Sequence, residues 1–249
     1  GRAGESAELA DAIRDSRLVT VVGAGGCGKT RLAIQVAAGM STEFPDGVCL
    51  IELAPLSDPE LVESAVGAAL GLQQQPGSGM LDALAGFLRS RELLLLVDNC
   101  EHVVEAAADL VGHLLSATPS IRVLATSREP LRVRGEAIYQ LRPLAVPERG
   151  ADWEGLAGSD GVRLFADRAA SANPGFRLSP DNAAAVAGVC TRLDGIPLAL
   201  ELAASTTRFL TPEQIEVRLD DRFRLLTGGA RDDFDHHRTL EAAIEWSYG

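Results

Sequence analysis

One glycine-rich octapeptide constrains this chain more than any other segment, and it contains the only lysine in the sequence, Lys29. The octapeptide, Gly23-Ala-Gly-Gly-Cys-Gly-Lys-Thr30, fits G-x-x-x-x-G-K-[ST], a loop whose backbone N–H groups surround the phosphates of a nucleoside triphosphate. The chain has 23 Lys and Arg residues in total, and all of them except Lys29 are arginine. A compact ammonium fits between β- and γ-phosphate oxygens where a planar guanidinium does not. The octapeptide therefore predicts nucleotide binding.

The segments on either side of the octapeptide have the patterns that such a loop requires. Arg17–Val22 is a short β-branched run typical of a buried strand, and Arg31–Met40 has apolar residues at helical spacing. Glycines allow the backbone to approach the phosphates, and the helix N-terminus adds partial positive charge. We expect the hydroxyl of Thr30 to coordinate Mg²⁺. The expected nucleotide contacts of the loop are Gly25, Gly26, Cys27, Gly28, Lys29, Thr30 and Arg31.

A second candidate element is the run Leu93–Val97, four leucines and a valine, which ends in Asp98. On a parallel strand beside a phosphate-binding loop, a carboxylate at this position holds Mg²⁺, usually through the water shell of the ion. The alternative is a buried strand that simply ends in an aspartate at a turn. Because the glycine-rich loop lies upstream, we favour a magnesium site with Thr30 and Asp98 as its protein ligands.

The residue after Asp98 is Asn99, at a position where rapidly hydrolysing P-loop ATPases often carry a second carboxylate that activates water. An amide cannot accept that proton, and loss of a general base typically costs about 10²–10⁴ in rate. Slow hydrolysis is therefore expected. Glu101 or His102 could take over part of this role, although both also fit as ordinary residues in the first turn of a helix.

The fourth predicted strand, Ile121–Thr126, is followed by Ser127 and Arg128. Polar residues at this rim of the sheet can reach a γ-phosphate, and Arg128 would then sense whether that phosphate is present. The alternative is a solvated arginine after a strand. GTPases of this superfamily recognise guanine with an N/T-K-x-D motif, which a chain whose only lysine is Lys29 does not contain. Adenine is therefore the expected base, with ATP/ADP and Mg²⁺ as the expected cofactors.

Strand and helix patterns alternate as far as Leu141. Strands that are apolar on both faces and alternate with helices indicate an α/β fold, with a parallel sheet covered by helices on both faces. The further predicted strands are Val48–Leu53, Glu92–Asp98 and Glu136–Leu141, and the predicted helices are Ser57–Leu70, Met80–Arg89 and Val103–Ala117.

The pattern changes after Leu141, where Pro, Gly and Asp become frequent, and we predict a linker that extends to Gly161. Helical patterns rich in Ala, Leu and Arg follow it, at Val162–Ala172, Asp181–Leu193, Leu198–Leu210 and Pro212–Leu219. The sequence therefore predicts a P-loop nucleotide-binding domain at residues 1–145 and a small all-α helical domain at residues 146–232.

Composition restricts the partners and the compartment. A formal net charge of −12 argues against a nucleic-acid surface in this segment. No apolar run approaches the ~18 residues of a membrane span and no signal-peptide pattern opens the chain, so no membrane partner is expected. The four cysteines are widely spaced without a C-x-x-C pair, which is typical of reduced, mostly buried thiols in a cytoplasmic protein.

Four motifs occur in a fixed order, at Gly23–Thr30, Leu96–His102, Thr126–Leu131 and Gly195–Leu200. Over almost its whole length the chain resembles the NB-ARC, or STAND, P-loop ATPase module of large bacterial transcriptional regulators of the SARP and LuxR types. The resemblance implies a signal-transduction switch operated by ATP and ADP, with slow hydrolysis. It assigns the catalytic roles to Lys29, Asp98 and Arg128.

The resemblance also implies contacts that the residue patterns alone do not give. Gly1 and Arg2 match a Gly-Arg pair near the adenine, although the family's following Glu is Ala3 here. Pro197 matches a proline of the helical domain that packs on the nucleotide. Residues 233–249 resemble the opening of a winged-helix domain. The resemblance further implies flanking domains in a larger chain and a nucleotide-dependent homo-oligomer.

Two other functional classes stay open on the residues alone. One is a P-loop ATPase or kinase with higher turnover, and the other is a scaffold that binds nucleotide without hydrolysing it. A motor-like ATPase would favour an acid at position 99, and Leu131–Arg134 could mimic the arginine-rich lid of a small-molecule kinase. The sequence does not separate the scaffold from a slow switch.

Overall fold

The computed structural model describes residues 2–73, 79–148 and 150–226. Within these ranges the chain forms two compact units. The first consists of the chain up to Gly23 together with Lys29–Leu141. The second consists of Ala24–Gly28 together with the chain from Arg142 onward.

The strands of the first unit are β1 (Leu18–Val22), β2 (Val48–Glu52), β3 (Leu94–Asp98), β4 (Arg122–Ser127) and β5 (Glu136–Gln140). They form one parallel sheet in the order β2-β3-β4-β1-β5. Every residue of β1 and β3 is buried, which explains why their sequences are nearly continuous apolar runs. The two edge strands, β2 and β5, are partly exposed.

The helices of the first unit are α1 (Ala3–Asp15), α2 (Lys29–Gly39), α3 (Val62–Ala69), α4 (Met80–Leu88) and α5 (Val104–Ala117). The apolar residues of α3, α4 and α5 form one core with Leu95, Val97 and Val123 of the sheet. Because successive strand residues point to opposite faces, the buried Leu94 and Leu96 face the other side, where α1 and α2 contact the sheet. The predicted fold, a parallel sheet with helices on both faces, is confirmed.

Helix α1 has no counterpart among the helices predicted from the sequence. Only Leu9 and Ile13 are buried among its 13 residues, which is too few to give a clear amphipathic pattern. Two backbone carbonyls at the end of α1, those of Ile13 and Ser16, accept hydrogen bonds of 2.6 and 2.9 Å from Nη1 of Arg122 in β4. Arg122 thus provides hydrogen-bond donors to carbonyls at the end of α1 that have no partner within the helix. A contact between residues so far apart in the chain cannot be recognised from the local sequence of α1.

The second unit contains the helices α6 (Trp153–Gly158), α7 (Asp160–Ala172), α8 (Ala183–Arg192), α9 (Pro197–Ser205) and α10 (Pro212–Leu226). Their buried residues form a separate core, in which the rings of Phe165 and Phe176 meet edge to face at 6.3 Å between centroids. Helix α9 begins with Pro197. The backbone N–H groups of the first turn of a helix have no acceptor within the helix, so the N–H that proline lacks costs no helical hydrogen bond.

The predicted linker to Gly161 is wrong in its second half, because α6 and the start of α7 occupy residues 153–161. The side chain of Asp152 caps α6 by accepting a hydrogen bond of 3.0 Å from the N–H of Gly155. Glycine is a poor helix former, so the Gly-rich composition of this stretch concealed a helix that its cap initiates.

Smaller differences concern helix limits. The helix predicted from Ser57 begins as a 3₁₀ turn at Pro59–Leu61, and α10 extends to Leu226 rather than Leu219. Residues 233–249, where a winged-helix start is predicted, lie outside the described residues, and the domain limits at 145 and 232 stay predictions. Within the described ranges no helix has the length and apolar character needed to cross a membrane.

Candidate functional site

The carboxyl ends of β1, β3 and β4 lie along one edge of the sheet. Strand β4 pairs with both neighbours: Ser127 lies opposite Val22 of β1, and Ala125 lies opposite Val97 of β3. The residues that end or follow these strands are therefore brought side by side, at the edge where α/β sheets bind ligands. Most of the predicted catalytic residues come from these segments.

The glycine-rich loop owes its glycines to two different causes. Gly26 and Gly28 have φ angles of +72° and +93°, a region that other residues rarely adopt. A Cβ on Gly26 would also lie 2.9 Å from Cβ of Leu198, whose N–H donates a hydrogen bond of 3.2 Å to the carbonyl of Gly26. A Cβ on Gly28 would have no atom within 4 Å. Position 26 thus requires glycine for its positive φ angle and for the close contact with Leu198, whereas position 28 requires it for its φ angle alone.

Lys29 is the first residue of α2, and its side chain folds back over the preceding turn. Its ammonium donates a hydrogen bond of 2.9 Å from Nζ to the carbonyl oxygen of Gly23, the first residue of the octapeptide. The residue is only 8% exposed, so a charged group of this kind needs polar partners. The arrangement holds a positive charge beside the loop that the sequence predicts to bind phosphates.

Thr30, Asp98 and Thr126 form a hydrogen-bonded cluster that joins α2, β3 and β4. The hydroxyl of Thr30 donates to Oδ1 of Asp98 at 2.7 Å, and the hydroxyl of Thr126 donates to the same oxygen at 2.6 Å. Asp98 is 7% exposed and Thr126 is 1% exposed. Two charge-assisted hydrogen bonds therefore fix the orientation of a nearly buried carboxylate.

Asn99 adopts the left-handed conformation, with φ +66° and ψ +51°. Its backbone N–H donates to Oγ1 of Thr126 at 2.9 Å, so this hydroxyl accepts from Asn99 while it donates to Asp98. Asparagine tolerates this backbone region better than most residues. The strand therefore ends sharply after Asp98, and a 3₁₀ turn at Cys100–His102 follows.

Arg128 and Glu101 form an ion pair between the segments that follow β4 and β3. Nε of Arg128 lies 3.2 Å from Oε1 of Glu101. The arginine side chain is 42% exposed, whereas the glutamate side chain is only 10% exposed. Oε2 of Glu101 is buried and has no hydrogen-bond partner among the described residues. The pair thus joins a nearly buried carboxylate to an accessible guanidinium.

Cys100, between these two groups of side chains, is fully buried, and its Sγ donates to the carbonyl of Val97 at 3.6 Å. Burial, with a smaller contribution from the negative charges of Glu101 and Asp98, raises the pKa of its thiol to about 12. The thiol is therefore neutral and unreactive at ordinary pH, in keeping with the interpretation of the cysteines as buried thiols.

The predicted adenine contacts are described only in part. Gly1 lies outside the described residues. Arg2 precedes α1; its Nη1 lies 3.4 Å from Oε1 of Glu5, and its carbonyl accepts a hydrogen bond of 2.8 Å from the hydroxyl of Ser6. These contacts tie Arg2 to the first turn of its own helix, and its role at the adenine stays a prediction.

The other predicted contacts lie on helices. Arg31 is exposed on α2, and His102 is exposed at the end of the 3₁₀ turn. Pro197 stands next to Leu198, the residue bonded to the carbonyl of Gly26. The nucleotide contacts assigned to Arg31 and Pro197 therefore also stay predictions.

Thr126 belongs to the site, although its position at the end of a predicted strand did not identify it as a partner of Asp98. The available signal was a hydroxyl residue at the end of a strand, two positions before Arg128. What was missing was the strand order, because Thr126 reaches Asp98 only if β4 lies next to β3. The hydroxyl matters because it orients the carboxylate that we assigned to Mg²⁺.

The oxygen atoms of this cluster suit a magnesium ion bound together with a nucleotide. A hydroxyl and a carboxylate from Thr30 and Asp98 meet at 2.7 Å, and such hard oxygen donors are the ligands that Mg²⁺ prefers. No group of three or more His, Cys, Asp or Glu side chains able to hold a metal occurs in the described parts of the chain. The site fits an ion held by one or two protein ligands and by phosphate and water, rather than an all-protein cage.

Comparison with known proteins gives relatives among bacterial regulators. No protein-family model matches the chain. A provisionally named HTH-type transcriptional regulator of Mycobacterium tuberculosis (strain ATCC 25618 / H37Rv) is 44% identical over 236 residues, which cover 95% of this chain and 25% of that protein. The regulatory protein AfsR of Streptomyces griseus is 29% identical over 241 residues, covering 92% and 22%. The chain thus spans a quarter or less of the length of these two relatives.

Solved structures share the fold. A signal transduction ATPase with numerous domains (STAND) that carries a tetratricopeptide repeat sensor, from Pyrococcus horikoshii, superposes with a TM-score of 0.52 and 14% identity, covering 98% of this chain and 38% of that one. Cdc6p from Pyrobaculum aerophilum gives a TM-score of 0.57 and 10% identity, covering 98% and 80%. The chain has the α/β fold of the P-loop NTPases.

Proposed function

We propose that this P-loop NTPase fold works as a regulatory module that binds ATP and ADP, hydrolyses ATP slowly, and switches a larger transcriptional regulator between two states. The observation that carries the proposal is the hydrogen bond of 2.7 Å from the hydroxyl of Thr30 to Asp98. Thr30 directly follows Lys29, whose ammonium donates a hydrogen bond of 2.9 Å to the carbonyl of Gly23. This is the donor set that a Mg²⁺–nucleotide complex requires.

In this proposal, the loop glycines bring backbone N–H groups to the phosphates and Lys29 neutralises their charge. Thr30 and Asp98 hold Mg²⁺, which when bound would offset the charge that develops on the phosphate oxygens. Thr126 keeps the Asp98 carboxylate in one orientation through its hydrogen bond of 2.6 Å. Positioning and electrostatic stabilisation account for most of phosphoryl-transfer catalysis, so these residues would suffice for a low rate.

Slow hydrolysis follows from the residue beside the magnesium carboxylate. Asn99 carries an amide, which cannot accept a proton from the attacking water, and Thr126 holds its backbone N–H at 2.9 Å. Without a general base the rate would be lower by about 10²–10⁴. A low rate suits a switch, because the ATP-bound state then lasts long enough to be read.

The regulatory role rests on the relatives and on Arg128. Two relatives carry the names of regulatory proteins, and this chain matches only a part of each. In the proposed role, Arg128 senses the γ-phosphate, so ATP and ADP favour different states of the larger protein, and the ATP-bound state forms the homo-oligomer. To move such an equilibrium from 1:99 to 99:1, the two nucleotides must differ in preference by about 5.5 kcal/mol.

The first test is the nucleotide carried by the purified protein, released with acid and separated by chromatography, in the wild type and in Lys29→Ala. We expect bound adenine nucleotide in the wild type and none in the variant. Arg89→Ala is the matched control, since it removes one positive charge from an exposed position at the end of α4. An unchanged nucleotide content and unchanged affinity in Lys29→Ala would refute the proposed site.

Turnover separates the proposal from its alternatives. A steady rate of about 1 s⁻¹ or more, the lower end of ordinary enzymes, would indicate a metabolic or motor-like ATPase. Binding of ATP with no phosphate release over hours would indicate a scaffold. A slow, measurable rate together with an oligomeric state that differs between ADP and a non-hydrolysable ATP analogue is the result expected of a switch.

A further inference from the structure

We infer that Glu101 is a positioning residue that holds Arg128 in competition with the γ-phosphate, and so sets how strongly the site distinguishes ATP from ADP. The inference rests on the proposed function, because it requires Arg128 to contact the triphosphate. It adds an assignment for Glu101, which the sequence suggested only as a substitute water-activating base.

The two members of the pair differ in the freedom that their surroundings leave them. Glu101 lies in the 3₁₀ turn Cys100–His102, which is closed by a hydrogen bond of 3.0 Å from the N–H of Val103 to the carbonyl of Cys100. Its side chain is only 10% exposed, whereas that of Arg128 is 42% exposed. The carboxylate is therefore the more enclosed member of the pair, and the guanidinium is the member that a ligand in solvent can reach.

The incomplete hydrogen bonding of Glu101 points to a working contact rather than to a structural one. Its Oε1 pairs with Arg128 at 3.2 Å, while its buried Oε2 has no partner among the described residues. A buried carboxylate oxygen without a donor is costly, and a purely structural pair is normally fully hydrogen-bonded. An ion pair with one unsatisfied carboxylate oxygen is easier to open than a fully hydrogen-bonded one, as a pair that opens on ligand binding requires.

The pair is connected to the magnesium cluster through short, rigid steps. Glu101 follows Asn99, whose N–H is bonded to Thr126 at 2.9 Å, and Arg128 is two residues beyond Thr126 on the other strand. Thr126 and Thr30 share Oδ1 of Asp98. Both members of the pair are thus held at the end of the sheet where the γ-phosphate is expected, so one arginine can exchange a carboxylate for a phosphate.

The competition acts on the triphosphate alone. Arg128 must leave Glu101 before it can contact the γ-phosphate of ATP. ADP has no γ-phosphate, so the pair of Arg128 and Glu101 stays closed when ADP binds. The apparent affinity of a ligand falls in proportion to the fraction of protein in the competent state. If about a tenth of the protein has Arg128 released, opening the pair permanently would strengthen ATP binding about tenfold and leave ADP binding unchanged.

The test uses the affinities of the whole chain for Mg²⁺–ADP and for a Mg²⁺-bound non-hydrolysable ATP analogue, measured by calorimetry. Glu101→Gln keeps the shape of the side chain and removes the charge that holds Arg128. We expect the analogue to bind about tenfold more tightly and ADP to stay within about twofold. In the Arg128→Ala background the same substitution should change neither affinity. Glu105→Gln, at an exposed position of α5, is the matched control.

Each outcome decides the inference. Equal changes in both affinities, no change, or an effect that persists without Arg128 would overturn it. If Glu101→Gln does not fold, Glu101→Asp tests the same competition, because the shorter side chain withdraws the carboxylate from Nε of Arg128: a gain in analogue affinity with ADP affinity kept supports the inference, and parallel changes or no change refute it. A wild-type chain that binds neither nucleotide would instead refute the proposed function, so the two failures are distinguishable.

Discussion

Replacement of Thr126 by valine tests whether the Asp98 carboxylate is held as the site requires. Valine has nearly the same shape as threonine but carries no hydroxyl. Thr126→Val therefore removes the hydrogen bond of 2.6 Å to Oδ1 of Asp98 and the acceptor of the N–H of Asn99 at 2.9 Å. The change affects two neighbours that are otherwise left in place.

The magnitude follows from these two contacts. Loss of a hydrogen bond to a charged group costs about 1.5–3 kcal/mol, and an unsatisfied backbone N–H costs about 1–3 kcal/mol. Asn99 is only half-buried, so water can replace part of the second contact. We expect the free energy of unfolding to fall by about 3 kcal/mol. We also expect weaker Mg²⁺-dependent binding of an ATP analogue, with little change in Mg²⁺-free binding.

A second threonine provides a control of opposite sign. Thr20 in β1 is fully buried, and its hydroxyl has no hydrogen-bond partner among the described residues. Thr20→Val makes the same chemical change but removes an unsatisfied polar group, so we expect a gain of about 1 kcal/mol. Urea unfolding followed by far-UV circular dichroism measures both variants.

The comparison is decisive because the two substitutions are identical in chemistry. A loss of less than about 1 kcal/mol in Thr126→Val would mean that the described cluster contributes little, since a single such bond is worth more than that. A Thr20→Val variant destabilised as much as Thr126→Val would mean that loss of any buried hydroxyl explains the effect. Either result would refute the reasoning about Asp98.

Three further predictions concern the loop and the thiols. Gly26→Ala should lower stability more than Gly28→Ala, because a Cβ at position 26 would lie 2.9 Å from Cβ of Leu198, whereas a Cβ at position 28 would meet no atom within 4 Å. Gly28→Ala should therefore cost only the backbone strain, about 1–2 kcal/mol. Thermal unfolding of the two variants measures the difference. A thiol reagent should modify the half-buried Cys49 before Cys100, which mass spectrometry of digests would reveal, and equal rates would contradict it. Burial raises the pKa of Cys100 from 9.0 to about 12, so the folded state holds the thiol proton more tightly than the unfolded state does. The contribution of this thiol to the free energy of unfolding should therefore be full below pH 9.0 and decline as the pH rises toward about 12.

The parts of the site that the sequence predicted are those whose chemistry is local. The glycines at 26 and 28 do adopt positive φ angles, and the spacing to Lys29 alone indicated the loop. Asp98 was identified because a continuous apolar strand ends there. In both cases the signal lies within a few consecutive residues, which one sequence is enough to reveal.

Two of the side-chain contacts that the sequence did not predict depend on the order of the strands. The bond from Thr126 to Asp98 and the pair of Arg128 with Glu101 each join segments about 27 residues apart, and they form because β4 lies beside β3. Helix α6 was missed for another reason, since its cap at Asp152 outweighs the poor helix propensity of its glycines.

The left-handed conformation of Asn99 also has an evolutionary consequence. Asparagine and aspartate both tolerate this backbone region, whereas longer side chains are disfavoured in it. Their codons differ at a single base, so one transition could place a second acid beside Asp98 without disturbing the turn. On the proposed function, a lineage could move between a long-lived and a short-lived ATP state by one mutation, and selection on signal duration would act directly on this codon.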